Sequence, residues 1–261
     1  MDPLIIGHRG ASALAPENTL AAFRLAQQQG ADGIEFDVQL TSDGVPVVIH
    51  DYDLQRTASI SKLVAEVTLS AIRTIDVGTW FNQTHEQTDP TFALERIPTL
   101  EEVLEIFETT QALLYLEMKS ETKQRERLAQ SCCDLLANHS LKDQVVIECF
   151  DHAAIAHVKK IDPEIKTAAL FEPNLSTLPL PMMGSRIVSR ALAVNADQVA
   201  LHHRLAKPSV IHKARQAGLG VAVWTVDEPK WIELARANNI DALIANDPGK
   251  LIRERDRPNS D

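Results

Sequence analysis

Three carboxylates at the ends of short apolar segments are the first residues of this sequence that suggest chemistry. Glu35 and Asp37 are separated by one residue, so on a β-strand both side chains project from the same face. Glu117 ends a second apolar segment. If the fold brings the three together, each like-charge pair at about 4 Å costs on the order of 4 kcal/mol at an effective dielectric near 20. Such a cluster must take up protons or bind a cation, and three oxygen donors without a nearby thiolate favour one divalent ion, Mg²⁺ or Ca²⁺.

Two histidines and two basic residues accompany these acids. His8 and His50 each end an apolar segment, and an imidazole suits proton transfer because its pKa lies near neutrality. We therefore predict that both are catalytic acid–base residues. Arg9 and Lys119 lie within two residues of these candidates and supply the positive charge that a bound phosphate needs. A divalent cation with three acids and two bases leaves one positive charge, which matches a singly charged phosphodiester.

Three further residues are expected to line or support this site. Trp224 ends a late apolar segment, where it would either form the wall of a substrate pocket or pack in the core. Glu17 is placed to orient a neighbouring histidine or arginine from behind the site. Asn18 is interpreted as a structural support that caps the following helix. The pair His202-His203 ends another apolar segment and is expected to be structural rather than catalytic.

Short apolar runs alternate with amphipathic segments along nearly the whole chain, a pattern typical of parallel βαβ units. Polar residues at the carboxyl ends of successive runs fit a barrel, whose active site lies at that face. We predict an α/β fold of the (β/α)₈ TIM-barrel type, in one domain spanning residues 1–261. The predicted strands are Leu4–Gly7, Gly33–Val38, Val45–His50, Leu113–Met118, Val145–Phe150, Lys166–Phe171, Gln198–His202, Gly220–Val226 and Asp241–Ala245.

Two irregularities predict that the barrel is somewhat distorted. There is one strand too many, and only Gln39–Gly44 separates the second from the third, which is too short for a crossover helix. The sequence leaves open whether this pair is a hairpin or a distorted barrel segment. The stretch of roughly residues 51–98 is long and rich in turn-forming residues. We interpret it as an insertion between the third and fourth strands that covers the site.

Polar residues placed just before amphipathic segments predict where several helices begin. These N-cap predictions are Asn18 or Thr19, Thr99 paired with Glu102, Ser120, Asp151, and Asp227 followed by Pro229.

Composition and charge exclude several classes of protein. The 261-residue chain is 44% hydrophobic, as globular proteins are, and its formal net charge of −10 repels nucleic acid and anionic lipid surfaces. No apolar run reaches the length of about 18 residues that spans a membrane, and the start Met1–His8 lacks the features of a signal peptide. Three cysteines cannot all pair, and we interpret them as reduced thiols. We therefore expect a cytoplasmic protein without nucleic-acid or stable membrane partners.

The motifs taken together resemble the glycerophosphodiester phosphodiesterase family, and the resemblance spans about residues 4–250. It is carried by His8-Arg9-Gly10, Pro16-Glu17-Asn18-Thr19, Glu35-Phe36-Asp37-Val38, Thr41-x-Asp43-Gly44, His50-Asp51 and Glu117-Met118-Lys119. Supporting stretches follow at Asp76–Phe81, Ile97–Leu100, Phe150-Asp151 and Val223–Val226.

The resemblance implies a phospholipase-C-like barrel that hydrolyses glycerophosphodiesters to sn-glycerol 3-phosphate and an alcohol. It also implies a small capping insertion, and the length is similar to that of the compact cytosolic bacterial members. Carried over residue by residue, it implies acid–base histidines at His8 and His50, metal carboxylates at Glu35, Asp37 and Glu117, and phosphate-binding bases at Arg9 and Lys119.

One departure and several alternatives accompany this expectation. The family usually has Thr-Asp-x-Pro after its last strand, whereas this chain has Ala245-Asn246-Asp247-Pro248, which bears on any polar contact made from that loop. The nucleophile is either water or the glycerol 2-hydroxyl, and either histidine could be the acid. A lipid phosphodiesterase of the lysophospholipase D kind and a non-catalytic glycerophosphodiester-binding module are the alternative functions. The head group and the oligomeric state stay open.

Overall fold

Eight parallel strands form a closed barrel in the computed structural model, which describes residues 2–85, 89–119, 124–173 and 180–257. The first strand pairs with both the second and the last, so the sheet has no open edge there. This confirms the predicted (β/α)₈ barrel. Its strands are β1 (Leu4–His8), β2 (Gly33–Leu40), β6 (Leu113–Met118), β7 (Val145–Cys149), β8 (Lys166–Phe171), β9 (Gln198–His202), β10 (Gly220–Trp224) and β11 (Ala242–Ala245).

The ninth predicted strand is not part of the closed barrel. It is β3, Pro46–Val48, which pairs antiparallel with the end of β2, where Leu40 faces Pro46 and Val38 faces Val48. The turn between them includes Gly44, whose φ of 85° lies in the left-handed region that favours glycine. Of the two arrangements that the sequence left open, the structure therefore has the hairpin.

One helix follows each barrel strand, except that the hairpin and the insertion come between β2 and its helix. These helices are α1 (Leu20–Gln28), α5 (Leu100–Phe107), α6 (Arg125–Ala137), α7 (His152–Ile161), α8 (Leu180–Ala193), α9 (Pro208–Gln216), α10 (Lys230–Asn238) and α11 (Pro248–Arg255). Among the described residues, none of the helices is both long and apolar enough to cross a membrane.

The helix caps follow the sequence in most places. Thr19 rather than Asn18 caps α1, since its side chain accepts from the Ala22 N–H, and Thr99 forms the predicted capping box with Glu102. Asp151 caps α7 as predicted. Residue Pro229 occupies the N-cap position of α10, because Asp227 is engaged elsewhere, and the predicted cap Ser120 lies outside the described residues.

The insertion of residues 51–98 consists of short elements around a small apolar core. They are β4 (Asp53–Leu54), α2 (Gln55–Ala58), β5 (Ile60–Leu63), α3 (Leu69–Ile72), α4 (Thr79–Thr84) and two 3₁₀ turns, Val64–Glu66 and Pro90–Leu94. Buried residues such as Leu54, Val64 and Ile72 pack with Val47 and Ile97 at its junction with the barrel. The insertion therefore has packing of its own to hold its polar residues beside the barrel mouth.

Alternation along the strands decides which side chains point into the barrel. In β2, Ile34, Phe36 and Val38 pack outward in the main core against the helices, so Glu35 and Asp37 face the interior. The interior floor is apolar and includes Tyr115, Val146, Ala200 and Ile244. The charged residues further along the same inward faces therefore lie next to this buried apolar layer, at the carboxyl ends of the strands.

Candidate active site

The register of neighbouring strands brings the predicted site residues to one end of the barrel. His8 is the Cα partner of Glu35 across β1 and β2, and Asp37 is the partner of Glu117 across β2 and β6. Glu117 is in turn the partner of Glu148 across β6 and β7. Because parallel strands end at the same face, these residues meet at the barrel mouth.

A cavity of about 240 Å³ collects most of these side chains. Its wall includes both predicted histidines, both basic residues and four glutamates, together with apolar and aromatic groups. These lining residues are His8, Arg9, Glu35, His50, Glu117, Lys119, Glu148, Phe150, Leu170, Glu172, Trp224, Thr225 and Ile244. Asp37 does not line this cavity but contacts two residues that do, Arg9 and Lys119.

Three buried glutamates form the centre of the site. Glu35, Glu117 and Glu148 each offer an oxygen within 4.8 Å of the others. Burial is the largest cause that raises their pKa values, and the neighbouring carboxylates raise them further. Burial raises the pKa of Glu117 to about 7 even though Lys119 opposes it. An all-oxygen, acidic donor set of this kind fits a hard divalent cation such as Mg²⁺ or Ca²⁺.

Asp37 is held by positive charge on both of its oxygens. Its Oδ2 lies 3.2 Å from Arg9 Nε and accepts from Asn18 Nδ2 at 2.8 Å, and its Oδ1 lies 3.1 Å from Lys119 Nζ. Burial alone would raise the pKa of Asp37, but Lys119 and Arg9 outweigh it and hold the pKa well below its usual range. Lys119 also lies 2.7 Å from Glu117 Oε1, so it links this pair to the glutamate cluster.

Arg9 is fixed from three directions by its neighbours. Its backbone N–H donates to Glu35 Oε2 at 3.0 Å, and its Nη1 donates to Glu17 Oε1 at 2.8 Å, while its Nε faces Asp37. Glu17 therefore orients an arginine from behind the site, as one of the two predicted options. Asn18 supports the site because its side chain donates to Asp37. It lies in the left-handed region, with a φ of 57°, and is not the predicted helix cap, which is Thr19.

His8 is oriented by an amide whose own orientation is fixed. Asn246 Nδ2 donates to Asp227 Oδ2 at 2.8 Å, so Asn246 Oδ1 is the atom that faces His8 Nδ1 at 2.7 Å. His8 Nδ1 must therefore carry the hydrogen, and His8 Nε2 has its lone pair free to accept a proton. Burial, with the charge of Arg9, lowers the pKa of His8 to about 4.

His50 has a charged partner instead. Its Nδ1 lies 2.7 Å from Asp51 Oδ1, and the other Asp51 oxygen accepts from Arg56 Nε at 2.6 Å. Arg56 also donates to Glu17 at 2.7 and 2.9 Å, so an arginine of the insertion connects the carboxylate behind His50 with the one that holds Arg9. Burial lowers the pKa of His50, and the carboxylates of Asp37 and Asp51 oppose that effect.

Trp224 lies in the wall of the cavity. Its ring packs edge-on against Phe150, with 5.6 Å between ring centroids, and against His202 at 5.1 Å. His203 instead binds the Thr225 carbonyl through Nδ1, as a structural histidine does.

Sequence reasoning missed three residues of this site. Glu148 is the single charged residue in the strand β7, and it shares the inward face of Val146, which is a signal that the sequence contains. Asn246 was noticed only as a departure from a family motif, and its contact with His8 spans 238 positions. Arg56 lies in the insertion, and no local pattern distinguishes it from a solvated surface arginine.

The fold and site define a (β/α)₈ barrel with two histidines, two basic side chains and a cluster of buried carboxylates at its mouth. The sequence matches the Glycerophosphoryl diester phosphodiesterase family over residues 8–250, and the chain belongs to that family. This confirms the family that the motifs resemble.

Individual relatives agree with this placement over nearly the whole chain. The chain is 33% identical to a glycerophosphodiester phosphodiesterase of Caldanaerobacter subterraneus subsp. tengcongensis, with 97% of each chain covered. The structure of the present chain is similar to that of an Oleispira antarctica phosphodiesterase in complex with the product sn-glycerol-3-phosphate, with a TM-score of 0.85, 27% identity and 98% of each chain covered. A glycerophosphodiester phosphodiesterase from Agrobacterium tumefaciens gives a TM-score of 0.75 at 28% identity, over 95% of this chain and 98% of that one. The predicted enzyme class, a phosphoric diester hydrolase, is confirmed by these homologues.

Proposed function

We propose that this chain hydrolyses glycerophosphodiesters to sn-glycerol 3-phosphate and an alcohol, with one divalent cation and with His8 and His50 as the proton-transfer groups. The observation that carries the proposal is the single cavity in which both imidazoles, Arg9 and Lys119 surround the glutamate cluster. The product bound to the Oleispira antarctica relative supports the same substrate class.

Arg9 and Lys119 bind the phosphate in this proposal. Both are held in place by Asp37, so their charged groups are positioned before the substrate arrives. Together they stabilise the negative charge that develops on the phosphoryl oxygens. We propose that Glu35, Asp37 and Glu117 bind the cation, Mg²⁺ or Ca²⁺, as the sequence predicts. When bound, a divalent cation supplies a Lewis acid for a phosphoryl oxygen.

The partners of the two histidines divide their roles. His8 has a neutral amide behind it and a free lone pair on Nε2, so it accepts the proton of the nucleophile. His50 has the carboxylate of Asp51 behind it, which favours its protonated form, so it donates a proton to the leaving alkoxide. The same division serves attack by water or by the glycerol 2-hydroxyl.

Trp224 and Phe150 give this cavity an aromatic wall next to the acid–base groups. We propose that Trp224 contacts the substrate there. The three cysteines, Cys132, Cys133 and Cys149, are free and buried, which is consistent with the cytoplasmic location that we propose.

The test of this function is a substrate panel with product identification. Glycerophosphocholine, glycerophosphoethanolamine and lysophosphatidylcholine are offered in turn with Mg²⁺ or Ca²⁺. The sn-glycerol 3-phosphate from the two diesters is measured with a coupled dehydrogenase, and the choline or ethanolamine released from all three substrates is measured by mass spectrometry. We expect turnover of the two water-soluble diesters. Preference for the lysolipid would instead support the lipid phosphodiesterase, and binding without turnover would support the binding module.

A further inference from the structure

We infer that Glu148 binds the divalent cation directly, together with Glu35 and Glu117. This inference rests on the proposed function and adds a ligand that the sequence motifs do not contain. Glu148 is the Cα partner of Glu117 on the adjacent strand, and Glu148 is only 2% exposed. An oxygen of each of the three glutamates lies within 4.8 Å of the others, a spacing that lets one ion contact all three.

A buried oxygen of Glu148 is unaccounted for within the protein. Among the described residues, Glu148 Oε2 has no hydrogen-bond partner although it is shielded from solvent. Buried carboxylate oxygens are normally hydrogen-bonded or bound to a metal, since desolvation without compensation is costly. A cation shared with Glu35 and Glu117 satisfies this oxygen.

The surroundings of Asp37 point to the same assignment. Both oxygens of Asp37 already face cations or an amide donor, namely Arg9, Lys119 and Asn18. Glu148 has no comparable cation within ion-pair distance among the described residues. Glu148 therefore has an oxygen to offer the ion in addition to those of the proposed ligands Glu35, Asp37 and Glu117.

Charge balance across the site supports the assignment. When all four acids are ionised, four carboxylates face the two cations Arg9 and Lys119, which leaves two negative charges. One divalent cation cancels them, and an anionic diester can then approach without repulsion. The three acids predicted from sequence would have left one positive charge, so Glu148 changes the balance on which substrate binding depends.

The experiment compares the binding of Mn²⁺ to the wild-type chain, Glu148→Gln and a control, Glu172→Gln, by electron paramagnetic resonance of the free ion. Glu172 lines the same cavity but is exposed and lies outside the glutamate group. We expect Glu148→Gln to raise the dissociation constant at least about tenfold, because even outer-shell partners of a metal typically contribute about 10–100-fold. The control should change it less than about threefold, as expected for a carboxylate that is not a ligand.

Thermal unfolding in chelator gives an independent readout. The gain in melting temperature when Mn²⁺ is added to the metal-free protein should be smaller for Glu148→Gln than for wild type and Glu172→Gln, because a variant that binds the ion less tightly is stabilised less by it. Equal affinity of Glu148→Gln and wild type would overturn the inference alone, whereas a wild-type chain that binds no divalent ion would overturn the proposed metal site with it. If the variant does not fold, anomalous scattering from Mn²⁺ in wild-type crystals decides, with a Glu148 oxygen expected within about 2.6 Å of the ion.

Discussion

The pair Asn246–Asp227 behind His8 leads to a prediction that is specific to this chain. Asn246 Nδ2 lies 2.8 Å from Asp227 Oδ2, so Asn246→Asp places two carboxylate oxygens at that separation. Coulomb repulsion there amounts to about 6 kcal/mol at an effective dielectric of 20. The pair can instead take up one proton, which costs an ordinary aspartate about 5.6 kcal/mol at pH 8 and about 1.5 kcal/mol at pH 5. Partial exposure of the two side chains screens the repulsion and lowers the net cost further. We expect Asn246→Asp to lose about 1–4 kcal/mol of unfolding free energy at pH 8, and much less at pH 5.

The exchanged double variant, Asp227→Asn with Asn246→Asp, is the matched test of that reasoning. It restores one carboxylate and one amide, so its stability in urea unfolding should return to within about 1 kcal/mol of wild type, as coupled neighbours do in a double-mutant cycle. It also places a carboxylate behind His8, which should move the acidic limb of the pH–rate profile upward. A single variant that is as stable as wild type at pH 8, or a double variant less stable than either single one, would refute the proposed orientation of this amide.

Three further predictions concern the two histidines, the buried Glu117 and the close packing at Gly33. His8→Ala and His50→Ala should each lower kcat about 10²–10⁴-fold with normal melting temperatures, whereas near-normal turnover in either would remove that histidine from the chemistry. Because burial raises the pKa of Glu117 to about 7 from the ordinary 4.5, its contribution to stability is present below pH 4.5 and is lost as the pH rises through 7. In EDTA, Glu117→Gln should therefore gain on the order of 3 kcal/mol over wild type between pH 5 and pH 8 in urea unfolding, and a pH-independent difference would contradict this. Gly33→Ala should destabilise the barrel by at least about 1–3 kcal/mol in the same assay, since its Cβ would lie 2.0 Å from the Leu113 carbonyl oxygen; unchanged stability would show that β2 and β6 are less closely packed there.

The strands and most helix starts could be predicted from sequence, because each depends on residues that are close together in the chain. The barrel strands are near-continuous apolar runs interrupted by a few polar residues, and Thr19, Thr99 and Asp151 cap their helices through contacts a few residues away. The arrangement of β3 was left open, because pairing with β2 depends on how the barrel closes and not on the composition of Pro46–Val48.

The sequence predicts which acids face the barrel interior, but it does not predict which of them are already paired with a basic residue. Side-chain alternation is enough to place Glu35, Asp37 and Glu117 on inward faces, and the strand register then brings them together. Which carboxylate a cation contacts depends on the partners of each acid across the barrel. The engagement of Asp37 by Arg9 and Lys119 is such a fact, and no spacing in the sequence reports it.

The roles of the two histidines depend on partners that sequence cannot pair. The partner of His50 is Asp51, the next residue in the chain, whereas the partner of His8 is Asn246, on the loop after the last barrel strand. Asp227 was predicted to start a helix, and in the structure it orients Asn246 instead. These contacts exist only once the barrel has closed, because closure brings the two ends of the chain together.

Turnover of glycerophosphocholine under exhaustive chelation tests the central claim most directly. The account predicts that sn-glycerol 3-phosphate formation stops in EDTA and returns when Mg²⁺ or Ca²⁺ is added, because the Lewis acid for a phosphoryl oxygen is then absent. A rate that chelation leaves unchanged would contradict the account.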